Sequence, residues 1–571
     1  MRKIYGFILP VIVLLSVVFL CPARQAAAEE ELKPFFVLSI SGYDALAADL
    51  DHIGKLGENP NLSKAVEAFL KNMTQGKGLA GVDKKRPWGI VVLPNPDNLE
   101  SDTRSFGFVP ITDYDKLLET LESLEIFTED GPDGSKEITN PTNVFPRNMF
   151  IKKVGDWAFI TNNPDHFKHA PADPAALLGK DAKNYDIMAS LRVKDIPQPM
   201  KDVFIGQMEM VVQVLEMQDG NEEAVTQMKQ SVEQVKKYVE GLDAITFGLV
   251  INDPKGKTYL DTIMTAMPET EVAKEMAAIK MGPSAFAGFY DPKATVTLNT
   301  FSQMTPTNAQ PIVNLIKSEH AGFLENLENQ DVPKERYNRV KQLTGDVVDV
   351  LVKTLQADQI DCGVTAWLAT NKATLIAGAT VTDTKKLDKA IRGLAQMMID
   401  ESSELKKLIQ LDAKTHKGIT LHAFQIPMAA LGDQGPWADL VGENLEVVIG
   451  TGPKDAYLAA GRGAMDRLIE AIDASKKAAG QDVLPARASL SVGQLVEFLS
   501  VAADDDSIKQ QASMVSGVLK AAAGDKDHLV LTTKPIPGGM RQRLEIESGL
   551  LTTVGAMSQI LSAVMTPIEV D

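Results

Sequence analysis

Short apolar runs alternate with amphipathic helical stretches along the whole chain, and the order in which they follow one another restricts the fold more than any other feature. The runs FFVLSIS (35–41), WGIVVLP (88–94), AITFGLVI (244–251), VTAWLA (364–369), LEVVIG (445–450) and HLVLTT (528–533) alternate apolar and polar residues and end in turn formers. Such runs make strands. Between them the apolar spacing changes to three and four. In EEAVTQMKQSVEQVKKYVEGL, residues Met228, Val232, Val235 and Val239 share one helical face, and Gly241 closes the helix. Each unit reads strand, one or two helices, two-strand hairpin, helix. Hairpins make neighbouring strands antiparallel, and the segregated helices then cover one sheet face. The expected class is α+β with antiparallel sheets, not a doubly wound parallel sheet.

The unit recurs. ITDYDKLLETL (111–121) matches VTDTKKLDKAI (381–391), ASLRVKDI (189–196) matches ASLSVGQL (488–495), and AFITNNPDHFKHA (158–170) matches VVIGTGPKDAYLAA (447–460), in the same order. An ancestral duplication is expected, with its join near Gly282-Pro283. The halves span 29–281 and 282–571. Each holds two units, at about 34–170 and 185–280, then at about 294–465 and 485–565. Thr112-Asp113 and Thr382-Asp383 stand between a strand and a periodic helix, where their oxygens cap the helix N-terminus.

The N-terminus reads as an export signal over residues 1–28. Arg2 and Lys3 precede an apolar run from Ile4 to Cys21, and Ala26-Ala27-Ala28 offers a small-residue cleavage site. An uncleaved anchor is the alternative. Leu20 before Cys21 argues against lipidation. Without that segment the chain carries 55 basic and 76 acidic side chains, a charge that repels nucleic acid and anionic headgroups. No later apolar run has the length of a membrane span; GLLTTVGAMSQILSAVM is short and broken by Thr, Ser and Gln. The expected location is extracytoplasmic, periplasmic or secreted. Cys362 is then the one remaining thiol, so no intrachain disulfide forms. Its apolar, alternating surroundings mark a strand rather than a reactive site.

Two glycine patterns invite a cofactor reading. GKGLAG (76–81) spells G-x-G-x-x-G, but a dinucleotide turn needs a strand before it and a helix after. Here the helical SKAVEAFLKNMTQ (63–75) precedes it and the RPWGIVVLP strand follows, so Gly76 ends a helix and Gly78 and Gly81 turn the chain. GTGPKDA (450–456) follows a strand and is expected to open a helix with Pro453 in its first turn, yet Asp455 stands where a phosphate would need glycine. No cofactor is expected. His166 and His169 are three apart but lack a third ligand, and a solvated helix start is the simpler reading. The nucleophile-elbow, zincin, Walker and calcium-loop patterns are absent. No residue is assigned a catalytic or metal role.

Methionine is the remaining oddity. FIGQMEMVVQVLEMQ places Met208, Met210 and Met217 on one stretch, where flexible thioethers suit either core filling or an adaptable apolar pocket. They are the candidate ligand-binding residues. The segments GVDKKRPWGIVV and ASLRVKDI, in a duplicated, cysteine-poor, exported chain, resemble uncharacterised secreted proteins common in planctomycete-type bacteria. That resemblance implies no activity and no functional residues. The expected function is a non-catalytic binding or scaffold protein of the cell envelope, with an apolar small molecule or an envelope protein as its partner. The alternatives are a hydrolase using carboxylates such as Asp165 or Asp361, and a structural envelope component.

Overall fold

A computed structural model describes residues 33–553 apart from 58–59, 96–102, 140–147, 218–221, 304–305, 331, 358, 402–404 and 432–436. The N-terminal segment read as a signal lies outside the described residues. The chain divides into two compact units, Met1–Met276 and Ala277–Asp571.

In the first unit, strand β1 (Phe36–Ile40) leads into helices α1 (Tyr43–Leu56) and α2 (Leu62–Met73). The hairpin β2 (Trp88–Pro94) and β3 (Thr103–Pro110) and the helix α3 (Tyr114–Ser123) follow. Two more hairpins come next, β4 (Phe127–Asp130) with β5 (Lys136–Thr139), and β6 (Met149–Val154) with β7 (Trp157–Thr161). After short 3₁₀ turns come β8 (Ile187–Leu191), helices α4 (Gln198–Met217) and α5 (Glu222–Gly241), the hairpin β9 (Leu242–Val250) and β10 (Thr258–Ala266), and helix α6 (Glu271–Ala278). All ladders are antiparallel, in the order β10-β9-β8-β1-β2-β3-β7-β6-β5-β4.

The second unit contains β11 (Val296–Gln303), α7 (Pro306–Glu328), α8 (Lys334–Leu355), β12 (Gln359–Ala369), β13 (Lys372–Thr380), α9 (Thr384–Glu401) and α10 (Leu405–Leu408). It continues with β14 (Ile409–His416), β15 (Ile419–Pro427), α11 (Trp437–Val441), β16 (Asn444–Thr451), β17 (Asp455–Gly461) and α12 (Ala464–Lys477). It goes on with β18 (Ala486–Ser491), α13 (Val492–Ala502), α14 (Asp506–Ala522), β19 (His528–Ile536) and β20 (Gly539–Ile546). Its antiparallel order is β20-β19-β18-β11-β12-β13-β17-β16-β15-β14.

Each strand of the first unit thus has a counterpart ten numbers on, and the register agrees as well as the order. Ile111 N–H donates to Asp156 C=O, as Val381 does to Lys454; Arg192 donates to Phe35, as Ser491 does to Thr295. Asp113 and Asp383 cap equivalent helices by accepting the backbone N–H of Lys116 and Lys386. The third sequence match fails this test. AFIT belongs to β7, whose counterpart is β17, whereas VVIGT belongs to β16.

Alternating residues of β7 show how the sheet is packed. Trp157 and Phe159 join Phe106, Phe108, Val37 and Met188 on one face, while Ala158 and Ile160 join Leu117 of α3 on the other. The first face is covered by the segment 164–184, whose Pro164, Pro171, Pro174 and Gly179 keep it in 3₁₀ turns. Its counterpart in the second unit, AMDRLIEAIDASKK, has neither proline nor glycine and runs as α12. There α12 covers one face, with Val448 beneath it, while Val447 and Ile449 meet α8 and α9 on the other. The aromatic filling changes hands too. Phe108 sits on a strand in the first unit, and at the equivalent Gly378 a Cβ would stand 2.6 Å from the incoming Phe286 ring. A fully buried phenylalanine stabilises the fold by roughly 1.5–3 kcal/mol.

The glycine turns resolve differently. Gly76, Gly78 and Gly81 all have positive φ and lie between α2 and β2, with Gly76 N–H donating to Lys71 C=O. A Cβ on Gly81 would stand 2.4 Å from Asp113 C=O, so the turn packs against the start of α3. GTGPKDA does not open a helix. It is the β16–β17 hairpin turn, closed by Gly452 N–H donating to Asp455 C=O. Pro453 fits the first corner of a β-turn as readily as a first helical turn, and strand pairing decides between them.

Candidate ligand cavity in the first unit

Ladder register builds one polar–apolar row across four strands. Val37 faces Ser190, Ser190 faces Thr246, and Thr246 faces Ile263, all on the sheet face that carries Met188. Ser190 and Thr246 hydroxyls share a 2.9 Å hydrogen bond. The next row carries Ala244 opposite Thr265, with Arg192 just past the end of β8. Over these rows stands the turn Leu178–Asp181, where Gly179 takes φ +79° between two 3₁₀ segments. Between turn and sheet lies a cavity of about 450 Å³, within the range of small-molecule sites.

Its charge is opposite to that of the chain. Lys33, Lys180, Arg192 and Lys194 line it against Asp181, Asp195 and Asp243. Lys194 pairs with Asp243, which also accepts from Thr265 Oγ1 at 3.0 Å. Arg192 reaches Asp195 only at 3.9 Å. Beyond it, Asp195 faces the buried Lys201, whose ammonium burial pushes below the ordinary lysine value while the Asp195 charge pushes it back up. Lys33 and Lys180 form no ion pair among the described residues. Apolar floor and cationic rim together suit a small amphiphile with an acidic head.

The residues singled out from sequence lie elsewhere. Met208 is half-buried on α4, and Met210 and Met217 are 63% and 83% exposed; none lines the cavity. Asp165 is exposed and pairs with Lys168 at 2.7 Å. Asp361 is buried and accepts from Ser284 Oγ and Ala285 N–H, both at 2.6 Å, thereby anchoring the segment that delivers Phe286. Burial raises its carboxyl, and those two hydrogen bonds offset part of that rise. His166 is buried rather than solvated, because its ring meets Phe106 and its Nδ1 lies 3.0 Å from Thr161 Oγ1. Cys362 is a free thiol on β12, and burial pushes it up to about 11.

Two further groups escaped sequence reasoning. His422, fully buried, lies 3.0 Å by Nε2 from Asp388 and accepts the Asp412 N–H at Nδ1, so both ring nitrogens are engaged in holding a bulge. Burial favours protonated Asp388, but hydrogen bonds from Arg392, His422 and Thr451 together hold it below the usual carboxylate range. In the first unit Asp49, on α1, is buried against Asp186; burial first, then the Asp186 charge and hydrogen bond, raise it to about 6. Neither group lines the cavity. Among the described residues no helix is long and apolar enough to cross a membrane. Comparison with protein-family models, curated proteins and solved structures found no match.

Proposed function

We propose that the protein is an exported binding protein whose first unit holds a small acidic amphiphile, without transforming it. The observation that carries this reading is the cavity itself: an apolar floor of Val37, Met188, Ala244 and Ile263 under a rim where Lys33, Lys180, Arg192 and Lys194 outnumber Asp181, Asp195 and Asp243, in a chain of net charge −18. The basic, apolar, small-residue N-terminus supports export. The shared strand order and register of the two units support an ancestral duplication; the first unit carries a thin 3₁₀ cover where the second carries α12.

Calorimetric titration of the full chain with decanoate and with decanol tests the reading. Decanoate should bind more tightly than decanol, and Arg192→Ala combined with Lys180→Ala should weaken decanoate about tenfold, the equivalent of about 1.4 kcal/mol. Equal binding by wild type and double variant, or no binding of either probe, overturns it.

A second reading, a self-associating envelope component, draws on α4. Val203, Met210, Val214 and Met217 are 42%, 63%, 47% and 83% exposed at helical spacing. Sedimentation of wild type against Met210→Glu should then show an oligomer lost in the variant; a wild-type monomer at all concentrations removes this reading.

A further inference from the structure

One row that lines the cavity has a counterpart in the second unit with different chemistry. Leu191 faces Ile245 in the first unit and Leu490 faces Leu529 in the second. Continuing the ladders, Lys194, Asp243, Ala244 and Thr265 correspond to Gly493, Asp527, His528 and Glu547. In the first unit the Lys194 ammonium neutralises Asp243. In the second that lysine is replaced by glycine, and a Cβ on Gly493 would stand 2.4 Å from Asp527 Oδ2. The cation has gone, and two groups that bind cations have arrived.

Their geometry converges on one point. Asp527 Oδ2 accepts from Ser491 Oγ at 2.6 Å and Gly493 N–H at 2.8 Å, which fixes the carboxylate and turns Oδ1 toward His528 Nδ1 at 3.1 Å. Glu547 Oε2, across the β19–β20 pair, accepts His528 N–H at 3.0 Å and lies 3.2 Å from the same Nδ1. One ligand atom from each residue falls within 4.8 Å of the others. The side chains are 8%, 12% and 34% exposed, so one side opens to solvent at Glu547. His528 Nε2 is buried without a hydrogen-bond partner, which leaves the cluster as the ring's polar contact. Among the described residues no lysine or arginine pairs with Asp527 or Glu547. Two carboxylates thus converge on one imidazole nitrogen, a set of donors that a divalent cation takes.

We infer that Asp527, His528 and Glu547 form a binding site for a divalent transition cation of the zinc type. Imidazole nitrogen and carboxylate oxygen are both donors that such a cation takes, and metal–ligand bonds of 2.0–2.1 Å in a tetrahedral site put neighbouring ligands about 3.3 Å apart. The remaining position faces solvent beside Glu547 and takes water or a ligand atom. The site lies wholly in the second unit, shares no residue with the cavity of the first, and stands or falls separately from it.

The test uses the full chain, stripped with a chelator and titrated separately with Zn²⁺ and Co²⁺ by calorimetry, with visible absorption following cobalt. One equivalent of each should bind, Co²⁺ should show the strong absorption of a low-coordinate site, and His528→Ala should weaken both at least tenfold. Glu547→Gln keeps the shape of the side chain and should weaken Zn²⁺ binding at least tenfold while circular dichroism stays unchanged. Absence of stoichiometric uptake of both ions, or uptake unaltered in both variants, overturns the assignment.

Discussion

Replacing Asp49 by asparagine should stabilise the protein at neutral pH and do little in acid. Asp49 is 8% exposed, its Oδ2 has no hydrogen-bond partner, and Asp186 adds a like charge in contact with it. Its carboxyl titrates at about 6 in the folded chain, against 3.8 ordinarily. Between those values the folded state binds more protons than the unfolded state, so this group's contribution falls as pH rises from about 4 to about 6 and then levels off. At about 1.4 kcal/mol per tenfold in proton affinity, the neutral-pH penalty approaches about 3 kcal/mol. Asparagine keeps a donor toward Asp186 and removes the charge. Urea denaturation at pH 7.5 should therefore show Asp49→Asn more stable by about 2–3 kcal/mol, or by about 4–12 °C in a thermal melt at the usual scaling for a unit of this size. Near pH 4 the difference should shrink below about 1 kcal/mol. A gain of equal size at both pH values, or a loss at pH 7.5, would refute the reasoning.

Asp113→Ala and Asp383→Ala each remove an equivalent helix cap and should each cost about 1 kcal/mol in urea unfolding. Cys362, pushed up to about 11, should react slowly with iodoacetamide at pH 8 in the native chain and rapidly in urea; equal rates would contradict its burial. Gly248→Ala would place a Cβ 2.4 Å from the Tyr185 ring and should cost about 1–3 kcal/mol in thermal stability.

The strands and caps were legible because they depend on neighbours in sequence. HLVLTT and LEVVIG alternate as half-buried strands do, and Asp113 and Asp383 precede periodic helices. GKGLAG was legible for the same reason, since the elements flanking it are local. What depends on pairing was not. GTGPKDA suits a helix start and a hairpin turn equally, and only the β16–β17 ladder separates them. Asp165 and His166 are adjacent in sequence, yet one is solvated and the other buried against Phe106. Arg192, Asp243, Ile263 and Leu178 come together through ladder register and a distant turn, which no spacing rule encodes. Asp527, His528 and Glu547 escaped likewise, because the third residue meets the others across a hairpin. Met210 and Met217 stood out by composition alone, and composition does not say which face of α4 they occupy.

A crystal structure of the full chain grown with decanoate tests most directly whether the first unit's cavity holds an acidic amphiphile. Density should run along the Val37–Ser190–Thr246–Ile263 row, with the carboxylate beside Arg192 and Lys180. Decanoate seated elsewhere while that row holds only water would contradict it.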